Sequence, residues 1–408
     1  MWSTDGLSGP DGEDWRVPVS ELEQRQTKLS TSLNENRIKS AWINDPVDMY
    51  WLVGNRQTGG IHITSEGEIT QYVRSSLERA KFESGGDDAP HIIEAHPRMA
   101  NLLEKLGNSP ALQLGRIPAN DATFLQSKLG GDSGDCTHIL WKLREEKSEW
   151  EINRMKESGE IQKRMFEALS SVGSKTGEGV SELHLAAVAD EVSRTEGFGG
   201  MVRMRKWPMD CDRVVIASGP SGAIPSYFDS AIGGAGSNPM ASLGAGHRRI
   251  RKGEPILVDI VHVHRGYITD MTRMFSIGSP DKIWIERLEH MEEIASTIRN
   301  SLNRGDDCSE TWEIGQSMAE KMGYGEHLMG MPPEQSRFLG HSIGLELDET
   351  PVIAAGFDCP LNKGGTMAIE PKVIFQEGAV GIEDCWVRTE NGLECLSSGD
   401  SFPSWTEW

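Results

Sequence analysis

No apolar run in this chain approaches the roughly 20 residues a membrane helix needs. Pro255-Ile-Leu-Val258 is among the longest, so a membrane span is not expected. Basic residues are in deficit: 41 Lys and Arg stand against 62 Asp and Glu, a formal charge of −21. Nucleic acid and anionic membrane are therefore excluded as main partners, because both select cationic surfaces. Cysteine is sparse, with six residues (Cys136, Cys211, Cys308, Cys359, Cys385, Cys395) and no C-x-x-C pair. That pattern fits reduced thiols in the cytoplasm and not a disulfide framework. Met1 to Asp14 show no basic patch followed by an apolar run, so no signal peptide is expected.

Glycine is what the chain has in excess. Its apolar share of 37% is thin until 45 glycines in 408 residues, about 11%, are added. The sum comes near the globular norm of roughly 45–50%. A chain of this length predicts two domains. Leu22, Leu29 and Leu33 recur at helical spacing, an extended run follows from Arg37 to Ile43, and Asp45-Pro46 starts a short helix. Ile61–Thr64 and Ile69–Val73 flank Ser65-Glu-Gly-Glu68 as a hairpin. Residues 15–140 thus read as a small α/β domain. His62, His91 and His96 within it have no ligand-like spacing and are read as ordinary surface or core residues.

A second domain is expected over 148–400. It opens with a capping box, Ser148 and Glu151, and its first helix carries Ile152, Met155, Ile161, Met165 and Leu169 on one face. A second helix is expected over about 181–194, and a second helix pair over about 282–302 and 309–322. Each pair leads to a hairpin with two carboxylates, which suggests an internal duplication. The Gly/Ser/Pro-rich segment Ser226–Gly246 reads as an insertion in the first half, either a lid or pocket wall carrying Tyr227, Phe228 and Asp229 or a surface loop.

The hairpins carry the chemistry. Asp259 and Asp270 are eleven residues apart, and a turn centred between His264 and Arg265 would set them directly opposite each other. Glu370 and Glu383, thirteen apart, face each other about a turn centred between Gln376 and Glu377. Ionised carboxylates paired in apolar strands repel unless a cation lies between them. His341, between glycines in Leu339-Gly-His-Ser-Ile-Gly344, adds a nitrogen donor. Four oxygen donors and one nitrogen suit a pair of hard or borderline divalent ions better than one tetrahedral zinc.

These residues resemble the creatinase/prolidase/methionine aminopeptidase superfamily, metallopeptidase family M24. The resemblance rests on Asp259, Asp270-Met-Thr-Arg273, Gly340-His-Ser-Ile-Gly344, Glu370-Pro371 and Ile382-Glu-Asp384, in that order. The amino-terminal domain points to the Xaa-Pro aminopeptidase and prolidase branch. The resemblance implies an α+β protein, with a carboxyl-terminal pita-bread domain and a smaller creatinase-like α/β domain. It implies two divalent metal ions, Mn²⁺ first, with Co²⁺, Fe²⁺ or Zn²⁺ as alternatives. Asp270 and Glu383 would bridge both, Asp259 would hold one, and His341 with Glu370 the other. Glu370 would also shuttle protons, and the protein would be a homodimer acting on a peptide or a small molecule.

Three positions depart from the family pattern. Asp348 and Ser226 stand where proline-specific members usually carry histidines, and Gly381 where arginine is often found. Asp348 is read as catalytic or substrate-binding, either held protonated or paired with a cationic group of the substrate, with a turn-capping role as the alternative. Ser226 and Tyr227 are read as substrate-binding. The expected function is an Xaa-Pro aminopeptidase or dipeptidase. The alternatives are a creatinase-like or lyase-type enzyme on a small cationic substrate, or a non-catalytic binding protein.

Overall fold

The computed structural model describes all residues except 1–3, 5, 108, 132, 208 and 398–400. Residue 400, the expected end of the second domain, and part of the Met1–Asp14 stretch therefore lie outside the described residues. The chain divides into two units, Met1–Arg144 and Glu145–Trp408.

In the first unit α1 (Val19–Glu35) buries Leu22, Leu29 and Leu33, the stripe its sequence spacing sets on one face. After β1 (Ser40–Ile43), the Asp45 carboxylate accepts the backbone N–H groups of Val47 and Asp48 and so caps α2 (Pro46–Val53). The hairpin β2 (Gly59–Thr64) and β3 (Ile69–Val73) forms as expected. With α3 (Leu77–Glu83), β4 (Ile92–Ala95), α4 (Met99–Leu106), β5 (Ala111–Leu112), α5 (Ala119–Lys128) and α6 (Thr137–Glu145), the unit builds a mixed sheet ordered β4-β3-β2-β1-β5. Behind it Asp48, wholly buried, is paired with Arg144 at 2.7 Å and accepts from Gln113 at 2.6 Å. A buried carboxylate persists when it is matched in this way.

The second unit opens with α7 (Glu149–Thr176), capped by the reciprocal Ser148–Glu151 box, and α8 (Glu182–Thr195). These helices cover a four-stranded sheet ordered β16-β8-β7-β6, made of β6 (Val214–Ser218), β7 (Ile256–His264), β8 (Tyr267–Ser276) and β16 (Trp405–Glu407). The second pair, α9 (Lys282–Arg304) and α10 (Cys308–Lys321), is followed by β9 (Gly340–Ser342), β10 (Glu349–Val352), β11 (Thr366–Ile369), β12 (Lys372–Phe375), β13 (Gly378–Gly381), β14 (Asp384–Thr389) and β15 (Gly392–Cys395). Strands β10-β9-β11-β14-β15 form one sheet and β12-β13 another.

Every residue of β7 and β8 is buried. Their alternation then decides which face each side chain takes. Ile256, Val258, Ile260, Met271 and Phe275 pack with Ile161, Met165, Phe166 and Leu185 of α7 and α8. Leu257 and Met274 join the core built around α9 and α10. Asp259, Asp270 and Thr272 share the face of Leu257 and Met274, because Asp259 pairs with Thr272 and Val261 with Asp270. This corrects the expected register. The two-residue turn is Arg265-Gly266, both with positive φ (51° and 90°), so Asp259 and Asp270 are diagonal neighbours, not direct partners. A shift of two keeps both on one face, whereas a shift of one would have separated them.

The second acidic hairpin has the expected register. Lys372 pairs with Gly381 and Phe375 with Gly378 in β12–β13, while Ile369 pairs with Asp384 in β11–β14. Both ladders set Glu370 opposite Glu383. The segment Ser226–Gly246 contains no helix or strand.

Candidate metal centre

An isolated bridge joins Thr272 of β8 to Glu383, and so brings the two acidic hairpins together. The Thr272 hydroxyl also donates to Glu383 Oε2 at 3.0 Å. Behind this contact the buried Arg273 guanidinium donates to the carbonyls of Thr272 and Glu383 and pairs with Asp384 at 2.9 Å. Ser397 donates to Asp384 at 2.8 Å. The position of Glu383 is thereby fixed from the backbone outward. Asp270 is held through Cys385, whose sulfur accepts the Asp270 N–H at 3.1 Å and donates to the Asp270 carbonyl at 3.3 Å.

The structure brings together all five residues expected to bind metal. Asp259, Asp270, Glu370 and Glu383 are each less than a tenth exposed. His341, on β9, points Nε2 to 3.4 Å from Glu370 Oε1, while its Nδ1 lies 3.1 Å from the Ser342 carbonyl. With the proton on Nδ1 donated to that carbonyl, Nε2 is left with a lone pair for an ion.

Electrostatics expose the strain of this grouping. Burial, Glu383 and Asp259 push the Asp270 carboxyl well above its ordinary range. Burial and Glu370 raise Glu383. Glu370 goes the other way: burial alone would raise it, but Lys372 and His341 hold it low. Burial opposes charge on His341, and the contact with Glu370 overrides it, pushing the imidazole up to about 9.

Three buried carboxylate oxygens, Asp259 Oδ1, Asp270 Oδ1 and Glu383 Oε1, have no hydrogen-bond partner. Such orphans are rare in a folded protein and call for a ligand. Donor atoms of Asp270, His341 and Glu383 lie within 4.8 Å of one another, close enough to converge on one ion. The donor chemistry and the orphaned oxygens fit a divalent cation there.

Lys372 was not singled out from the sequence. Its ammonium lies 2.7 Å from Glu370 Oε2, 2.6 Å from Glu383 Oε2 and 3.6 Å from Asp259 Oδ2. Burial pulls against this charge, but Glu370, Glu383, Asp259 and Asp270 together keep the amine well above its usual value. The available signal was strand alternation: Lys372 is two residues past Glu370 and shares its face. The electrostatics of the acidic group also reach the half-buried Cys211. Burial, Asp270 and Asp259 hold its thiol well above the ordinary range.

The remaining expected site residues are placed differently. Asp348 accepts the backbone N–H of Arg205 at 2.5 Å on Oδ1 and that of Lys206 at 2.9 Å on Oδ2. It anchors the 205–206 backbone and feels the charge of His341. Ser226 and Tyr227 line a cleft of about 480 Å³ with Lys206, Asp229, Pro332, Pro333 and Ile374, and none of the five expected ligands lines it. The Ser226 hydroxyl accepts from the Phe228 N–H at 3.1 Å, and Tyr227, half exposed, donates to the Asp210 carbonyl at 3.1 Å. Among the described residues no helix is long and apolar enough to cross a membrane.

Known proteins place this arrangement. Residues 25–145 match the creatinase/prolidase N-terminal domain and residues 153–390 the metallopeptidase family M24. An Xaa-Pro dipeptidase of Pyrococcus furiosus is 25% identical over 381 residues, covering 92% of this chain and 98% of its own. The prolidase structure from Pyrococcus horikoshii OT3 superposes with a TM-score of 0.73 at 23% identity, covering 92% and 98% of the two chains. Dipeptidase PepE from Mycobacterium ulcerans gives 0.77 at 21% identity, covering 96% and 99%. These likenesses show the expected α+β architecture, a pita-bread domain preceded by a smaller α/β domain. Family membership implies divalent metal ions, for which the buried acidic group supplies the donors. The chain belongs to metallopeptidase family M24.

Proposed function

We propose that this protein hydrolyses the bond after the first residue of short peptides, with proline as the second residue, as an Xaa-Pro dipeptidase or aminopeptidase. The observation that carries the reading is the set of unpartnered, buried oxygens on Asp259, Asp270 and Glu383 beside His341. A bound divalent ion supplies Lewis acidity toward water and toward a peptide carbonyl. The chain's own residues do the rest. Asp259, Asp270, His341, Glu370 and Glu383 would hold metal, with Asp270, Glu383 and His341 oriented by Cys385, Thr272 and the Ser342 carbonyl. Glu370 Oε1, 3.4 Å from His341 Nε2, is placed to accept a proton from the nucleophile and return it to the leaving amine. Asp348 fixes the 205–206 backbone, and Lys206 pairs with Asp229 at 2.9 Å at the cleft that holds Ser226 and Tyr227. We place the substrate in that cleft, and we take Mn²⁺ as the ion, the cytoplasm as the location and a homodimer as the assembly.

The test is to strip the full-length protein of metal, restore Mn²⁺, and assay a panel of Xaa-Pro dipeptides and Xaa-Pro-Yaa tripeptides against matched peptides lacking proline. Mn²⁺-dependent turnover confined to the proline panel supports the reading. Tight Mn²⁺ binding without cleavage of any peptide would overturn it in favour of a small cationic substrate.

A further inference from the structure

Lys372 is a buried charged group that the hydrolytic scheme leaves without a part. Its side chain has no exposed surface, and its ammonium contacts three of the four carboxylates at the centre. The backbone beneath it is fixed by the ladder to Gly381 and by the Met329 N–H, which donates to the Lys372 carbonyl at 2.8 Å. The stem lies over Gly381, where a Cβ would come within 2.4 Å of Lys372 Cγ and 2.8 Å of its Cα. Gly381 is the position where the family often carries arginine. Here its missing side chain makes the bed on which the lysine runs into the acidic pocket.

The carboxylate oxygens divide accordingly. Oε2 of Glu383 takes Lys372 and the Thr272 hydroxyl, while its Oε1 has no hydrogen-bond partner. Oε2 of Glu370 takes Lys372, while its Oε1 faces His341. On the other side, Asp270, His341 and Glu383 can converge on an ion. We propose that the centre binds a single divalent ion, held by Asp270, His341 and Glu383, and that the Lys372 ammonium is a built-in second cation between Asp259, Glu370 and Glu383. Charge favours this division. Two divalent ions and an ammonium would bring five positive charges to four carboxylates, with like charges in contact inside a buried pocket. One ion and the ammonium bring three. The excess of one negative charge is the smaller burden, because it can be shared by hydrogen bonds such as that from Thr272.

The inference rests on the metallopeptidase reading, and metal content separates the two. The full-length protein is saturated with Mn²⁺, freed of loose ions by gel filtration, and analysed for manganese per chain and by electron paramagnetic resonance. One Mn²⁺ per chain is expected, with the hyperfine pattern of an isolated ion. Lys372→Gly is expected to bind two, with the broadened spectrum of a coupled pair. Lys372→Ala gives the same reading should the glycine variant fail to fold. Two tightly held ions in the unaltered protein, or a folded variant that still binds one, would overturn the role of Lys372 and leave the peptidase reading intact. No bound manganese in the unaltered protein would overturn both.

Discussion

A Cβ on Gly381 would meet Lys372 Cγ at 2.4 Å, so these two cross-strand partners are one steric unit. Gly381→Ala should therefore lower stability by roughly 1–3 kcal/mol, the usual penalty of overpacking. In a Lys372→Ala background the penalty should shrink without vanishing, because the Cγ is gone while the Cα of residue 372 still lies 2.8 Å from the added Cβ. Urea unfolding of the four proteins forms a double-mutant cycle, with an expected coupling of about 1 kcal/mol or more. Additive effects would show that the lysine stem does not depend on the glycine.

Thr272 meets Glu383 twice, through a backbone bridge and through its hydroxyl at 3.0 Å. Thr272→Val keeps the shape and the bridge but removes the donor to Oε2. Loss of such a supporting hydrogen bond weakens metal binding by roughly 10–100-fold. Calorimetric titration of the metal-free protein with Mn²⁺ should show a drop in that range, with the thermal midpoint of the metal-free form nearly unchanged. An unaltered affinity would make Thr272 a passive neighbour.

Much of the centre was legible in the sequence because hairpin register is arithmetic. Glu370 and Glu383 were read as opposite, and the ladders on both sides of them agree. Asp259 and Asp270 were read two residues out of register, since one visible glycine at 266 did not reveal that Arg265 also takes positive φ. The face survived the error because strand alternation has period two. Lys372 carries no donor signal, because an ammonium competes with a metal instead of binding it and so falls outside a pattern of metal donors. Asp348 is singled out by the sequence, but its contacts are not legible there. Its partners are backbone amides of Arg205 and Lys206, far away in sequence, and main-chain donors carry no residue signature.

That anchoring role makes a prediction. Asp348→Ala leaves the Arg205 and Lys206 N–H groups without their acceptor, a loss of about 1–3 kcal/mol for a buried pair and less where water reaches Lys206. Since Lys206 lines the cleft with Ser226 and Tyr227, KM for the best Xaa-Pro peptide should rise more than kcat falls. Steady-state kinetics beside urea unfolding checks both parts. A fall in kcat alone, at unchanged stability, would mean that Asp348 acts on the reacting groups directly.

His262 supplies a pH dependence away from the metal centre. It is wholly buried on β7, with Nδ1 3.1 Å from the Ser193 hydroxyl and its ring near Phe198. Burial first, then His264, Arg213 and Arg164, lower its pKa to about 3. In the unfolded chain a histidine titrates near 6.5. Above that value neither state is protonated, and His262 adds no pH dependence. As pH falls below 6.5 the unfolded chain takes up a proton that the folded protein refuses, so stability is lost by up to about 1.4 kcal/mol per pH unit until the folded value is reached. His262→Gln should flatten the stability curve between pH 6 and pH 4 by roughly that slope, even where it lowers stability at neutral pH. Urea unfolding at half-unit pH steps measures the difference, and parallel curves for the two proteins would show that this histidine's protonation does not drive the acid sensitivity.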